Sequence, residues 1–555
     1  FVDGKDTLAK LWKLRCEKSK EKIAHREKKY GIWSSYSWSE FYDNSRLIGL
    51  ALLSMGFKRG EVVSILSEDS KEWIYTDLAV QSVGGITSGV YPTDSARQLV
   101  YLVNDSDTQF LFLENDEQLD KYLSVSDQMP KLKKVIVYEK DGLIDFDDPR
   151  VMFLTDLYEV GKIELEKKSG IFEKEIEAGK SEDTSILIYT SGTTGEPKGV
   201  EITGNNIMFS ISAGGRSLPV FDNDEQLCFL PLCHILERLI SVFQPIGAGS
   251  VINFAESSET VFDNLQEVSP TIFTAVPRVW ERIYSRVSIM TGEATPFGRW
   301  AFKKALTAGM TKIKAEDENR AIPLSYFFWD FVLLKNIRRM LGMDNLRRGT
   351  TGAAPISPEL LTWFRAIGVK IFEGYGMSES AGLISLNYEG NHKNGSVGSA
   401  IPGAMLRIGV DNEIQYKGGN CFKGYWRKTE KTNETFTSDG WMKTGDIGLI
   451  DDNGFLTITG RMKDIIITAG GKNVTPSELE NRLKFSPYIS DTILIGDGRK
   501  FISCLVMIDQ ENVEKFAQDQ KIPFSDFASL CAAPEIIELI SNIIDDVNRD
   551  FARVE

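Results

Sequence analysis

Histidine is scarce in this chain: His25, His234 and His392 are the only three among 555 residues. That leaves little room for a histidine-rich metal site or a histidine-driven hydrolase. Cysteine is also thin. Cys16, Cys228, Cys233, Cys421, Cys504 and Cys531 are scattered with no CxxC pair, which excludes a disulfide scaffold and points to a reducing, cytoplasmic compartment. Cys228, Cys233 and His234 are neighbours in sequence but lack a fourth metal ligand at a recognisable spacing, so buried thiols are expected. Positive charge is in deficit, with 64 Lys and Arg against 79 Asp and Glu and a net charge of −15. A chain of that sign is a poor general nucleic-acid binder. No apolar run approaches the roughly 18 residues needed to cross a bilayer. The nearest, LIGLALLSMGF (47–57) and IPLSYFFWDFVLL (322–334), read as core helices. Internal repeats, low-complexity tracts and a signal-peptide pattern are also lacking. The start at Phe1 instead of Met leads us to expect a missing N-terminal segment.

What is present is ordinary globular composition, 42% hydrophobic and 26% charged, in a length that suggests about three to four domains or subdomains. EVVSILSE (61–68), GGITSGVYPT (84–93), TQFLFLEN (108–115) and KKVIVYEK (133–140) read as strands separated by helical stretches. The rhythm returns in QLCFLPL, SVINFAE and PTIFTAVP. Such alternation predicts an α/β architecture with largely parallel sheets. After Ala400 the texture becomes β-rich with Gly and Asn turns, and a boundary is expected near Arg461 to Asp464. We therefore expect a large N-terminal domain over 1–462, made of mixed α/β subdomains and a β-rich part, and a small mobile α+β domain over 463–555. One segment departs from the acidic trend: Gly298 to Arg348 holds 11 Lys and Arg against 5 Asp and Glu. It is either a helical insertion with a solvated basic face or a surface that meets anionic lipid or a phosphorylated cofactor.

The densest cluster of small polar residues is YTSGTTGEPKGV, Tyr189 to Val200. Counted from Gly192, a Walker loop would require glycine at Pro197 and Ser or Thr at Gly199, so it is not one. It is not a GxGxxG dinucleotide turn either. Glycines still allow backbone N–H groups to converge on phosphate oxygens. Ser191, Thr193 and Thr194 add hydroxyls, and Lys198 adds a point charge. A Gly/Thr-rich loop also serves as a plain hairpin, and on these residues alone both alternatives stand.

The motif resembles, residue for residue, the phosphate loop of the adenylate-forming superfamily, which includes acyl-CoA synthetases, luciferases and peptide-synthetase adenylation domains. The likeness continues in order along the chain. GAAP (Gly352, Ala353, Ala354, Pro355) is similar to the family's adenine-site turn, and EGYGMSES (373–380) to its YGxTE motif, with Ser378 in the Thr position. WMKTGDIG (441–448) is similar to its TGD motif, and GRMKDIIITAGGKNVTPSELE (460–480) to its hinge and following glycine loop. LPLCHILER (230–238), TAVPRVWERIY (274–284) and the basic insertion resemble long-chain fatty acyl-CoA synthetases within that family.

The resemblance implies a reaction in two halves: a carboxylate attacks the α-phosphate of ATP, then the thiol of coenzyme A displaces AMP. It implies Mg²⁺, with Glu379 and Thr190 as ligands and Thr190, Lys198, Ser378 and Glu379 as catalytic residues. Ser191, Gly192, Thr193, Thr194 and Gly195 would grip the leaving phosphates, and Ser378 would donate to the α-phosphate. Tyr375, within Glu373, Gly374, Tyr375, Gly376 and Met377, would stack on adenine, and Glu373 would accept from the adenine amine. Asp446 would hold the ribose, supported by Arg461. Lys463 marks the hinge, Gly470, Gly471 and Lys472 would approach coenzyme A, and His234 lines the acyl pocket or is a plain buried histidine. The family's catalytic lysine for adenylation lies in a Gly/Thr/Lys-rich stretch near the C-terminus. No such stretch precedes Glu555, so no residue takes that role, and a truncated C-terminal domain that adenylates poorly but still transfers acyl groups is expected. Rival expectations are acyl carrier protein as acceptor, medium-chain or aryl substrates, and a non-catalytic acyl or nucleotide sensor. Peripheral membrane contact is expected through the basic segment, on the cytoplasmic side.

Overall fold

The computed structural model describes residues 1–168, 170–190, 196–549 and 551. Among them an eight-stranded sheet runs in the order Gly424–Tyr425, Lys198–Thr203, Thr184–Thr190, Ile86–Val90, Val62–Leu66, Thr108–Leu113, Lys134–Val137, Val151–Phe153. The strands from Thr184 through Val151 in that order pair in parallel. VVSIL and ITSGV are buried at every position, as strands covered by helices on both faces must be. The helices begin where the sequence supplies caps: Ser37 and Glu40 form a reciprocal capping box, as do Ser95 and Gln98, and Thr203 and Asn206.

A second sheet runs in the order Glu225–Cys228, Val251–Phe254, Ile23–Lys29, Ile32–Ser37, and a third carries Ile272–Ala275, Arg348–Thr351 and Ile371–Tyr375 in parallel. After Ala400 an antiparallel sheet of Met405–Ile408, Glu413–Lys417, Met442–Ile450 and Leu456–Arg461 follows. This is the change of texture expected there. Beyond Arg461 come two small antiparallel pairs, Ile466–Ile467 with Asn473–Val474 and Ile489–Ile495 with Ser503–Ile508, and helices over Pro476–Lys484, Gln510–Gln520, Phe527–Ala532 and Pro534–Asn548.

The two apolar runs part company. LIGLALLSMGF lies in the helix Trp38–Ser54, with Ile48, Leu50, Ala51 and Leu52 buried. IPLSYFFWDFVLL is helical too, as Leu324–Trp329 and a π-turn at Asp330–Leu334, but it is not a core helix. Tyr326 and Leu334 face inward, whereas Leu324, Phe327, Phe328 and Phe331 face solvent. The expectation failed because an apolar run that is hydrophobic all round does not say which face the rest of the chain covers.

Candidate active site

The sheets meet around one cavity of about 820 Å³. Its polar end is built from chain turns at strand ends. The hairpin Thr184–Thr190 and Lys198–Thr203 supplies Thr190 and Lys198; Ser191, Gly192, Thr193, Thr194 and Gly195 fall outside the described residues. Arg348–Thr351 delivers Gly352 and Ala353, and Ile371–Tyr375 delivers Gly374 through Glu379. Ala353 adopts φ +68°, a conformation few non-glycine residues hold. Gly376 passes so close to the Gly382 carbonyl that a Cβ would sit 2.2 Å from its oxygen, so glycine is required there.

Two hydrogen-bonded groups organise this end. Tyr375 Oη donates to Asp446 Oδ2 at 2.5 Å, and Arg461 Nε donates to Asp446 Oδ1 at 3.1 Å. Burial pushes the Asp446 carboxyl up, while Tyr375 and Arg461 pull it back. Burial and the neighbouring carboxylate push the Tyr375 phenol well up. In the second group Tyr425 Oη donates to Glu379 Oε1 at 2.7 Å, and Lys198 Nζ lies 4.8 Å from the Tyr425 ring centre. Tyr425 lines the cavity and was missed in the sequence. It belongs to the two-residue edge strand Gly424–Tyr425, paired with Val200 and Glu201, and no local pattern ties it to Glu379.

The apolar end is walled by Val220, Leu236, Leu239, Ile240, Phe273 and Leu386, with Gly214, Gln244 and Arg348 also on it. Where the ends join stands His234, N-cap of the short helix Ile235–Arg238, its Nδ1 accepting from the Leu236 N–H at 3.2 Å. That bond places the proton of the neutral ring on Nε2, and burial lowers the imidazole pKa. The segment carrying His234 is held from beneath. Asp69 accepts from the Leu232 N–H at 2.8 Å, and Arg238 pairs with Asp77, both side chains wholly buried. The Arg238 guanidinium lies 4.8 Å over Trp73. Gly89 leaves room for Cys233, whose Cβ would lie 2.6 Å from a Cβ at 89.

A second cavity of about 680 Å³ is lined by Tyr91, Asp94, Arg97, Tyr101 and Tyr189. It shares Thr190, His234, Ser378 and Arg461 with the first, so those four stand between the two spaces.

Of the residues singled out in the sequence, the structure thus gathers Thr190, Lys198, His234, Gly352, Ala353, Gly374, Tyr375, Gly376, Met377, Ser378, Glu379, Asp446, Arg461 and Lys463 on one cavity. Others it does not bring in. Ala354 and Pro355 do not line it, and neither does Glu373. Glu373 is buried off the cavity, where its carboxyl is pushed up to about 8, the Gly395 N–H opposing. Gly470, Gly471 and Lys472 form an exposed turn between Ile466–Ile467 and Asn473–Val474, outside both cavities.

Residues 12–426 match the AMP-binding enzyme family, and residues 463–553 match the AMP-binding enzyme C-terminal domain. The chain belongs to the AMP-binding enzymes. Among curated relatives, the long-chain-fatty-acid–CoA ligase FadD15 of Mycobacterium tuberculosis is 34% identical over 532 residues, covering 95% of this chain and 86% of that protein. The long-chain-fatty-acid–CoA ligase ACSBG2 of Xenopus laevis is 32% identical over 516 residues, covering 90% and 69%. Among solved structures, the adenylation domain of a carboxylate reductase from Mycobacterium chelonae aligns with a TM-score of 0.74 at 19% identity, covering 100% of this chain and 85% of that one. An anthranilate–CoA ligase in complex with anthranoyl-AMP aligns at 0.71 and 18% identity, covering 99% and 91%. This AMP-binding enzyme therefore has its relatives' large-plus-small α/β fold over nearly its whole length.

Proposed function

We propose that this AMP-binding enzyme activates a long-chain fatty acid with ATP and transfers the acyl group to coenzyme A. The observation that carries this is a single cavity with one end polar and the other apolar and without charge except Arg348. The fatty carboxylate attacks the α-phosphorus, the bond to the β-phosphate oxygen breaks, and pyrophosphate leaves. The thiol sulfur then attacks the acyl carbon and AMP departs with the bonding electrons, the thiol proton passing to solvent.

Each group has a physical part. Asp446, held by Tyr375 and Arg461, accepts both ribose hydroxyls, and Tyr375 packs on adenine. Ser378 donates to the α-phosphate, where charge grows in the transition state. His234 Nε2–H, at the junction, donates to the incoming carboxylate. Glu379 and Thr190 offer hard oxygen donors on the same wall, with Glu379 held in place by Tyr425, and such a set fits Mg²⁺. Bound there, Mg²⁺ would neutralise phosphate charge. Lys198 adds a fixed cation beside it. The second cavity reaches the junction through Thr190, His234, Ser378 and Arg461 and gives the pantetheine arm its approach, with Gly470 to Lys472 closing over it when the small domain moves about Lys463. At the apolar end the acyl tail runs toward Gly214, and Arg348 closes it, its guanidinium donating to the Leu218 and Pro219 carbonyls at 3.0 and 2.7 Å. The free thiols of all six cysteines suit a cytoplasmic, reducing setting. Among the described residues no helix is long and apolar enough to cross a membrane.

The test is to incubate the protein with ATP, Mg²⁺, palmitate and either coenzyme A or acyl carrier protein, and to weigh the products. Palmitoyl-CoA with equimolar AMP is expected. ADP in place of AMP, acylation of the carrier protein alone, or no fatty-acid-dependent AMP would reject the proposal in favour of another chemistry, the carrier-protein ligase or a non-catalytic binder.

A further inference from the structure

The strongest surface feature outside the catalytic cleft is the face of the helical hairpin that IPLSYFFWDFVLL completes. Phe297, Trp300, Leu324, Phe327, Phe328 and Phe331 are between 51% and 84% exposed. They are contiguous across two elements, the helix Pro296–Asp317 and the segment Leu324–Leu334. Phe297 stacks on Trp300 at 5.6 Å, Trp300 meets Trp329 edge-on at 6.0 Å, and Trp329 meets Phe328 at 5.4 Å. Large aromatic side chains with more than half their area in water contribute roughly 100 Å² each, so the patch is on the order of 600 Å². A soluble monomer rarely leaves that much contiguous apolar surface without a use for it.

The hairpin is anchored on its other side. Tyr326, Leu334 and Ile337 are buried, and Arg338 pairs with Asp330 at 2.7 Å. The acidic residue within the apolar run is thereby neutralised and turned away from the patch. Arg320 and Arg339 pair with Glu318 and Asp344, but other outward cations are not neutralised. Arg299, Lys303, Lys304, Lys314 and Lys335 make no ion pair among the described residues, and Lys303, Lys304 and Lys335 are exposed. From Gly298 to Arg348 the charge is 11 − 5 = +6, so the rest of the chain carries −15 − 6 = −21.

We propose that this face docks on a lipid bilayer bearing anionic headgroups, the aromatic rings entering the headgroup–acyl boundary and the lysines meeting the phosphates. Aromatic and leucine side chains flanked by Lys and Arg are the composition that lies in such an interface. The charge distribution selects the occupant. A second copy of this chain would bring two segments of +6 together. A protein interface core is depleted in lysine, whereas here lysines flank the rings. The strongly negative remainder is repelled by an anionic leaflet, so only this face can approach, which fixes the orientation of the docked molecule. The proposal is independent of the reaction assigned to the cleft.

Co-sedimentation with phosphatidylcholine vesicles, with and without phosphatidylglycerol, tests it. The protein should pellet with the phosphatidylglycerol vesicles, less so as salt is raised, and its Trp fluorescence should shift to the blue. K303E/K304E/K335E should weaken binding roughly a hundredfold or more, at about one kcal/mol per basic residue near the surface. F328S/F331S should weaken it about tenfold or more. Both variants change exposed side chains only, and unchanged melting temperatures certify their folding, while the fluorescence shift needs no variant. Three results would overturn the proposal: no pelleting with either vesicle, equal binding to both vesicles that neither variant alters, or a concentration-dependent dimer that F328S/F331S abolishes.

Discussion

Two groups of residues singled out in the sequence end up in opposite situations. Tyr375 and Asp446 are 71 positions apart and share a 2.5 Å hydrogen bond, with Arg461 closing the group. Gly470, Gly471 and Lys472 follow Arg461 closely in sequence, yet lie outside both cavities. The first group sits on strands of sheets that pack into one body, so tertiary packing brings it together. The second sits on a different body, whose contacts with the large domain include the Arg482–Glu359 and Lys515–Glu293 ion pairs and the Tyr284–Phe485 stack at 5.6 Å. Exposed ion pairs of that kind contribute about 0–1 kcal/mol each, a small barrier to reorienting the domain. The group on the large body is complete in this structure, whereas under the proposed reaction the one on the small body has to be brought to the cleft.

The sharpest way to break the contrast is Asp446→Ala. It removes the acceptor that Tyr375 and Arg461 orient, and ATP-dependent AMP release should fall roughly 10²- to 10³-fold, measured as kcat/KM for ATP with the fold intact by circular dichroism. Glu373 offers a second test on the same strand as Tyr375. Burial raises its folded pKa from the ordinary 4.5 to about 8. Between those values the folded chain keeps a proton that the unfolded chain has lost, so stability should fall as pH rises through that window, by up to about 1.4 kcal/mol per pH unit, a tenfold change in folding equilibrium. Denaturant titrations of Glu373→Gln should lose that slope. At the apolar end, a Cβ on Gly214 would meet Gln244 Nε2 at 2.5 Å. Gly214→Val should push that amide into the cavity and shift preference from long toward medium chains by about tenfold, read from kcat/KM across a chain-length series. The mildest effect belongs to the delivered motif. Gly471 has φ +77° with open space around its Cβ position. Gly471→Ala should slow thioester formation from supplied acyl-adenylate several-fold, through about 1 kcal/mol of backbone strain, and leave adenylate formation unchanged. Equal slowing of both half-reactions would erase the distinction between the two bodies.

Much of this molecule was legible before folding was considered. Strand-like runs alternating with helical stretches announced α/β sheets, because those patterns are set by side-chain direction within a few residues. The ordered motifs named the residues that line the polar end. Tyr425 was hidden, since its link to Glu379 spans 46 positions and runs through an edge strand of two residues. Glu373 is buried beside the cavity without lining it, which motif order does not report. The run IPLSYFFWDFVLL declared a helix but not its exposed face. The amino-acid sequence by itself therefore determined which local elements form and which chemical groups are available. Only the tertiary structure decided which of those groups share a cavity, which carboxyl is buried, and which apolar face remains in water, because burial and long-range pairing depend on how distant segments pack.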